Sequence, residues 1–376
     1  MRSLFFITFI ISYLSLNFYV FYRLYFLTPQ SFPIMRIFLI ISAVVVQLPF
    51  FAAMIFENKL PTKYVSILYH IGTSWIIVFL YLLIIFLVLD LIRLTHLVNI
   101  KPFMFNNWYG WAVVSIIISA ILIYGNINYY KKKRVEINVE ISKPINKKNN
   151  LKILLISDLH LGYGILHKEL ESWLPLLNKE KADIVLIAGD VIDNFIKPLE
   201  EEKMYKTLRK IYAKQGVFMV LGNHEYIGNI YESIGFIKKS NITLLRDTSV
   251  LIDDSFYLVG REDYSRKYRK RLSALLEGID KTKPIIVIDH QPIRLKEARI
   301  NGVDLQVSGH THNGQVFPLN LFANWFFKKP YGFLKEGGTN YFVTSGLGLW
   351  GGKFRVGTHS EYVVINFTSS TSLPEK

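Results

Sequence analysis

Five separated stretches of the chain end in side chains that bind hard or borderline metal ions. Residues 152–162 read KILLISDLHLG and deliver Asp158 and His160. IVLIAGD ends in Asp190, VFMVLGNHE carries Asn223 and His224, PIIVIDH ends in Asp289 and His290, and DLQVSGHTH supplies His310 and His312. Residues i and i+2 of an extended segment point the same way, so Asp158 and His160 are placed to grip one ion between a carboxylate and an imidazole. A mixed Asp, Asn and His donor set suits Mn2+, Fe or Zn2+. The absence of cysteine excludes thiolate sites and disulfides.

These side chains need elements that bring them to one place. The run before each of them has the length and β-branched content of a buried strand. In open α/β sheets, sites are built where strands give way to loops at their C-terminal ends. Gly189, Gly222 and Gly309 stand just before the metal-binding side chains. Glycine there allows a sharp exit from the strand and a close backbone approach. Residues 168–181, 200–213 and 264–280 have the spacing and charge of helices. Strand and helix in alternation predict a largely parallel sheet with covering helices. Residues 135–141 alternate Val135, Ile137, Val139, Ile141 and read as a half-exposed strand. After a polar turn at 144–150 that strand is expected to pair with the one carrying Asp158.

In this order, SDLH, GDVID, GNHE, DHQP and GHTHNGQ resemble the calcineurin-like metallophosphoesterases, over about residues 150–366. The N-terminal apolar runs and the closing glycine segment resemble the YkuE-like membrane-anchored subgroup. The resemblance implies an α/β fold, a two-sheet β-sandwich flanked by helices, and a metal-dependent phosphoesterase. Hydrolysis of a phosphate ester needs a nucleophile and neutralised oxygens. Two metals about 3.5–4 Å apart supply both, by acidifying a water and clamping the phosphoryl group. Carried over by motif, Asp158, His160 and His312 hold the first ion. Asn223, His290 and His310 hold the second, and Asp190 bridges the two. His224 faces the substrate and helps protonate the leaving oxygen. Glu225 is expected to accept a hydrogen bond from His224 and fix its tautomer. Asp289, Asp193 and Asn194 are neighbours of the ligands, with orienting or substrate-side roles. Arg355, after Gly346-Leu347-Gly348, is expected to contact phosphate. Two departures stand out: Asn313 replaces a usual glycine, and Ser345 stands where the subgroup often has arginine.

The hydrophobic fraction of 51% and a positive mean hydropathy exceed those of an ordinary soluble chain, so membrane spans are expected. Apolar runs at about 3–27, 34–56, 70–92 and 108–125 predict four, with Arg23 snorkelling near the end of the first. The first run lacks a small-residue cleavage site and reads as a span, not a leader. Residues 131–134, Lys-Lys-Lys-Arg, close the last run and place the C-terminal domain on the cytoplasmic side of the cell (inner) membrane. The layout is therefore a transmembrane region over 1–130, a basic juxtamembrane linker and strand over 131–150, the phosphoesterase domain over 151–366 and a flexible tail over 367–376.

The net charge of +15 favours anionic partners: lipid headgroups and a phosphate substrate. The leading reading is cleavage of a phosphodiester or pyrophosphate, with a UDP-diacylglucosamine-type lipid as one candidate. Seven large apolar side chains in the fourteen residues 317–330 sit beside the GHTH block and fit a membrane or acyl-chain contact. A phosphatase of soluble phosphoproteins or nucleotides is the second reading, and a non-catalytic membrane sensor or scaffold the third. No nucleic acid is expected, because no basic, aromatic-lined groove is visible.

Overall fold

Apolar runs at the start of the chain form helices: α1 (Arg2–Leu27), α2 (Pro33–Val45), α3 (Leu48–Phe56), α4 (Thr62–Thr95) and α5 (Trp108–Tyr130). The computed structural model describes residues 2–145 and 149–370, with the side chains of 2–7, 9 and 10 outside the described set. The chain divides into two compact units, one of residues up to 127 with 351–354, the other of 128–350 with the residues from 355 on.

Among the described residues, three helical stretches are long and apolar enough to cross a membrane: Pro33–Phe56, Thr62–Thr95 and Trp108–Tyr130. The expected count of four is not met. The first expected span corresponds to α1, a 26-residue helix whose first side chains lie outside the described set. The second expected span is met by Pro33–Phe56, with a turn between α2 and α3 where Pro49 in the first turn of α3 has no N–H to continue a helix. Ile34, Phe38, Ile41 and Val45 point outward, as lipid-facing side chains do. Arg23, near the end of α1, pairs with Asp90 of α4, which also accepts the Tyr19 hydroxyl at 2.5 Å. Charges among apolar helices are tolerated when paired in this way.

The second unit is built on two six-stranded sheets. The first takes β1 (Lys133–Ile141), β2 (Asn150–Ile156), β3 (Ile184–Ile187), β4 (Val217–Met219), β5 (Thr243–Leu244) and β12 (Glu361–Ser369), in the order β1-β12-β2-β3-β4-β5. The second takes β6 (Thr248–Ile252), β7 (Phe256–Gly260), β8 (Ile285–Ile288), β9 (Leu305–Ser308), β10 (Gly332–Glu336) and β11 (Thr339–Val343), in the order β10-β11-β9-β8-β7-β6. Alternate residues of both sheets face one shared core: Ile153, Leu155, Leu186 and Ile365 from the first, Leu258, Ile286, Ile288 and Val307 from the second. The outer face of the first sheet carries Leu154, Ile156, Val185 and Ile187 beneath α6 (His167–Asn178), whose Leu170, Trp173 and Leu177 are buried. Burial on both faces explains why the inner strands read as unbroken apolar runs. Each such side chain is worth about 1.5–3 kcal/mol relative to exposure.

Strands β2, β3 and β4 run parallel in one sheet, as do β7, β8 and β9 in the other. Their C-terminal ends deliver all five candidate blocks. The remaining helices are short: α7 (Lys197–Glu201), α8 (Tyr205–Leu208), α9 (Asn223–Ile227), α10 (Ile230–Lys238), α11 (Leu272–Leu275), α12 (Lys296–Ile300) and α13 (Leu319–Phe326).

Several expectations differ from the fold. β1 does not pair with β2: it runs parallel to β12, which lies between them. Pairing of a strand with one more than 200 residues away leaves no local signature. The turn expected at 144–150 falls partly on 146–148, outside the described residues. Residues 367–369, expected in the tail, belong to β12, and 371–376 lie outside the described residues. The helix expected over 200–213 is divided between the end of α7 and α8, and that over 264–280 shrinks to α11. There the Ser265 N–H donates to Asp263 at 2.8 Å, the Lys270 N–H donates to Asp247 at 2.7 Å, and Arg269 reaches Asp289 at 2.5 Å. Asp263 and Asp247 thus take backbone N–H groups that a helix would have used.

Candidate metal centre

The loops that leave the strands carry the candidate ligands on an unusual backbone. Asp158, His160, Asp190, His310 and His312 all have positive φ, between 45° and 72°. Such conformations cost non-glycine residues on the order of 1–3 kcal/mol each and persist where surrounding bonds over-determine them. Those bonds are present: Asp158 N–H donates to Gly189 O at 3.0 Å, His160 N–H to Asp190 O at 3.0 Å, and Gly309 N–H to His290 O at 2.9 Å. The two sheets are stitched together at this edge. His310 N–H donates to the Asp158 carboxylate at 3.1 Å, and His290 Nδ1 lies 2.7 Å from Ala188 O.

The structure brings the seven expected ligands together. Asp158, His160 and His312 form one group of potential ligand atoms within 4.8 Å of one another, and Asp190, His290 and His310 form another. Asn223 joins the second through its Oδ1, 3.1 Å from His290 Nε2. Asp190 Oδ2 lies 3.2 Å from His290 Nε2 and 3.8 Å from His160 Nε2, so one oxygen faces both groups. Its Oδ1 accepts the His224 N–H at 2.9 Å. His224 also completes a third group with His160 and Asp190.

Glycine is required here for room. A Cβ on Gly222 would stand 2.1 Å from Asp190 Oδ1, and one on Gly309 would stand 2.4 Å from Asp158 Oδ2. Gly222→Ala is therefore expected to lower stability by about 1–3 kcal/mol and to weaken divalent-metal binding, because Asp190 must move. Thermal melting with and without Mn2+ checks both effects.

Two of the expected partners act differently. Glu225 does not meet His224. It sits at the third position of α9 and accepts N–H bonds from Gly222 at 2.7 Å, Ile192 at 2.9 Å and Asp190 at 3.1 Å. It thus ties two ligand loops together. The residue beside His224 is Asp193, whose carbonyl lies 2.9 Å and carboxylate 3.2 Å from His224 Nδ1. The sequence signal for it is the last residue of GDVID, already singled out. Asp289 meets no ligand position and is held by Arg261 at 3.3 Å and Arg269 at 2.5 Å. Arg261 and Arg269 were not found by sequence reasoning, because their partner lies on a different strand.

A model of the calcineurin-like phosphoesterases matches residues 151–314. The chain is 31% identical over 258 residues to an uncharacterized metallophosphoesterase of Campylobacter jejuni, covering 67% of this chain and 68% of that protein. The chain belongs to the calcineurin-like phosphoesterase family. It is also 28% identical to a transmembrane protein with metallophosphoesterase domain from Danio rerio, over 66% of this chain and 61% of that one. An uncharacterized metallophosphoesterase of Bacillus subtilis, YkuE, is 29% identical over 54% of this chain and 73% of its own length. Against two Helicobacter pylori metallophosphoesterases, the chain spans only 55% of the relative's length.

The family hydrolyses phosphate esters and binds two divalent metals, and the residues of this phosphoesterase fit them. His160 Nε2 and His312 Nε2 face each other at 3.0 Å, with Asp158 Oδ1 3.9 and 3.7 Å away. A cation among them would take a lone pair from each, which a lone proton cannot do. Burial and then His160 push the His312 imidazole well below its ordinary value. Burial and His290 bring His310 down to about 4. Both are thus neutral donors with a lone pair to offer. Burial pushes the Asp158 carboxyl up. Burial opposes charge on His224, yet the Asp193 carboxylate lifts it to about 9.

Arg355 of the phosphoesterase does not reach out to a phosphate. It is fully buried, and its guanidinium donates to the carbonyls of His312 at 2.7 Å, Ser345 at 2.7 Å and Gly348 at 3.0 Å. The Ser345–Gly348 loop in turn covers Asp158: Leu347 N–H donates to Ser157 O at 2.9 Å and Gly348 N–H to Asp158 O at 3.1 Å. Asn313 holds φ +51° and Gly314 φ +71°, so the turn survives the departure from two glycines. Beyond it the Phe327 ring stands edge-on to His310, with centroids 5.8 Å apart.

Proposed function

We propose that this chain is a two-metal phosphohydrolase held at a membrane, acting with water on a phosphodiester or pyrophosphate of a lipid-linked substrate. The observation that carries the reading is Asp190, whose Oδ2 faces ligand groups from both sheets. Asp158, His160 and His312 would hold one ion, Asn223, His290 and His310 the other, and Asp190 would bridge. When bound, the two ions supply Lewis acidity toward the phosphate oxygens and lower the pKa of water. The chain's own contribution is orientation and proton transfer. The Asp193 carbonyl and carboxylate fix the His224 ring at its Nδ1, which leaves Nε2 to give a proton to the departing oxygen as the P–O bond breaks. Glu225 keeps the Asp190 and Asn223 loops in register through its three backbone bonds.

A lipid-linked substrate is favoured by what surrounds the site. Phe327 packs on His310, and the segment before it is apolar and exposed. The basic cluster at 131–134 supports a catalytic unit on the cytoplasmic face of the inner membrane.

Turnover of bis-p-nitrophenyl phosphate with Mn2+ tests the chemistry. His224→Ala is expected to retain two ions per chain and lose about 10²–10⁴ in turnover. Full activity in that variant would refute the proton-transfer role. Detergent-solubilised protein is expected to release phosphate products from nucleotide-linked lipids faster than from soluble nucleotides or phosphopeptides. The reverse order would favour the soluble-substrate reading.

A further inference from the structure

Helix α13 is inside-out for a soluble protein. Its one buried residue is the small Ala323, while Leu319, Leu321, Phe322, Trp325 and Phe326 are all exposed, the last two at 80%. A helix on a water-soluble surface turns its large apolar side chains inward and its polar ones out. Here the polar residues Asn320 and Asn324 fill a narrow strip, and Asn320 lies against Gly314 of the site turn. The exposed arc covers roughly half the helix circumference at ~100° per residue. A contiguous apolar patch of this kind marks an interaction surface.

The geometry points to the headgroup region of a bilayer as the occupant of this face: α13 lies in the membrane interface and holds the mouth of the metal centre against it. Four observations select a bilayer. Trp325 and Phe326 are the side chains that partition into interfaces, with Trp amphipathic at headgroup depth. Lys328 and Lys329 follow after Phe327; Lys328 pairs with Glu336, and Lys329 adds a positive charge that matches anionic headgroups. Among the described residues, three helical stretches are long and apolar enough to cross a membrane. Between the last of them, α5, and β1 of the catalytic unit lie only residues 131 and 132. At ~3.5 Å per residue that connection holds the unit within a short reach of a bilayer, so a weak apolar face is enough to dock.

The consequence for the site runs through adjacent residues. Phe327, the next residue after α13, contacts His310, and Thr311 Oγ1 donates to Pro330 O at 2.5 Å. A face seated among headgroups therefore presents the ligand loop to phosphates lying in that same layer. The inference rests on the membrane-held reading and needs neither the metals nor the hydrolysis.

The chain has no cysteine, so one introduced thiol is a unique label site. The full chain carrying Trp325→Cys, labelled with a bimane fluorophore, is placed in nanodiscs of phosphatidylglycerol and phosphatidylcholine. The control is Tyr212→Cys on the same unit, a side chain 70% exposed. Lipids brominated near the glycerol are expected to quench the label at 325 at least about threefold more than at 212, and aqueous iodide to do the opposite. Equal iodide quenching at both positions would overturn the proposal. Self-quenching that appears only with two chains per disc would overturn it in favour of a second copy. Failure of the chain to enter nanodiscs at all would overturn the membrane-held reading, and this inference with it. Phe326→Cys repeats the measurement should Trp325→Cys fail to fold, as judged by its melting temperature.

Discussion

Asp190→Ala is expected to empty both metal positions and to cut phosphodiester turnover by at least about 10³-fold. The reason lies in one atom. Asp190 Oδ2 stands between His160 and His290, which belong to different ligand groups, and it is the contact common to both. Removing any other ligand strips one group and leaves the second with its own Asp or Asn and imidazoles. Asp158→Ala should therefore lose one ion and Asp190→Ala two. Metal content per folded chain, measured by inductively coupled plasma mass spectrometry, separates the cases. Asp190 Oδ1 also accepts the His224 N–H, so alanine costs a buried acceptor as well. Asp190→Asn retains an acceptor for that bond while removing the charge, and should likewise lose both ions without the same loss of stability. One ion retained per chain in the asparagine variant would show that the two groups are held independently and that Asp190 is no bridge.

Much of the site was legible because burial and metal affinity both leave strong marks. The strands carrying Asp158, Asp190, Asn223, His290 and His310 are covered on both faces, so each reads as an apolar run that stops abruptly at a polar ligand. Other features are tertiary and leave no such mark. The basic stretch after Asp263 looks helical by charge and spacing, yet Asp247 and Asp289 from other strands draw its N–H and guanidinium groups away. β12 separates β1 from β2 because the closing segment returns across the whole catalytic unit. Glu225 comes next after His224 in sequence, but the first turn of α9 aims its carboxylate at backbone N–H groups instead. The sequence pattern names residue types near a ligand; only the fold decides which of them turns toward it.

Arg355, expected at the phosphate and found in the interior, carries the largest expected effect on folding. Its guanidinium satisfies three backbone carbonyls in a place where water has no access. Burial lowers its affinity for its proton to about 10, still far above neutral, with Asp158 helping to hold the charge. The donors brace the loop below His312. Arg355→Ala leaves the Ser345 and Gly348 carbonyls without this donor at about 1–3 kcal/mol each, while His312 O keeps the Gln315 N–H, and it opens a cavity of arginine size. A loss of about 3–5 kcal/mol is expected, measured as a shift of the denaturant midpoint. Stability alone does not define its role, so a second readout is needed. His312 would lose the anchor at its carbonyl, and the Ser345–Gly348 loop its hold over Asp158. Binding of the ion held by Asp158, His160 and His312 should weaken about 10–100-fold, while the ion held by His290 and His310 is little changed. Arg355→Lys keeps the charge but offers a single ammonium in place of a planar fork, and should recover part of the stability with little of the metal affinity. Equal weakening at both ions in the lysine variant would mean that Arg355 supports the fold in general. Weakening confined to the first would make it the brace of that half of the centre.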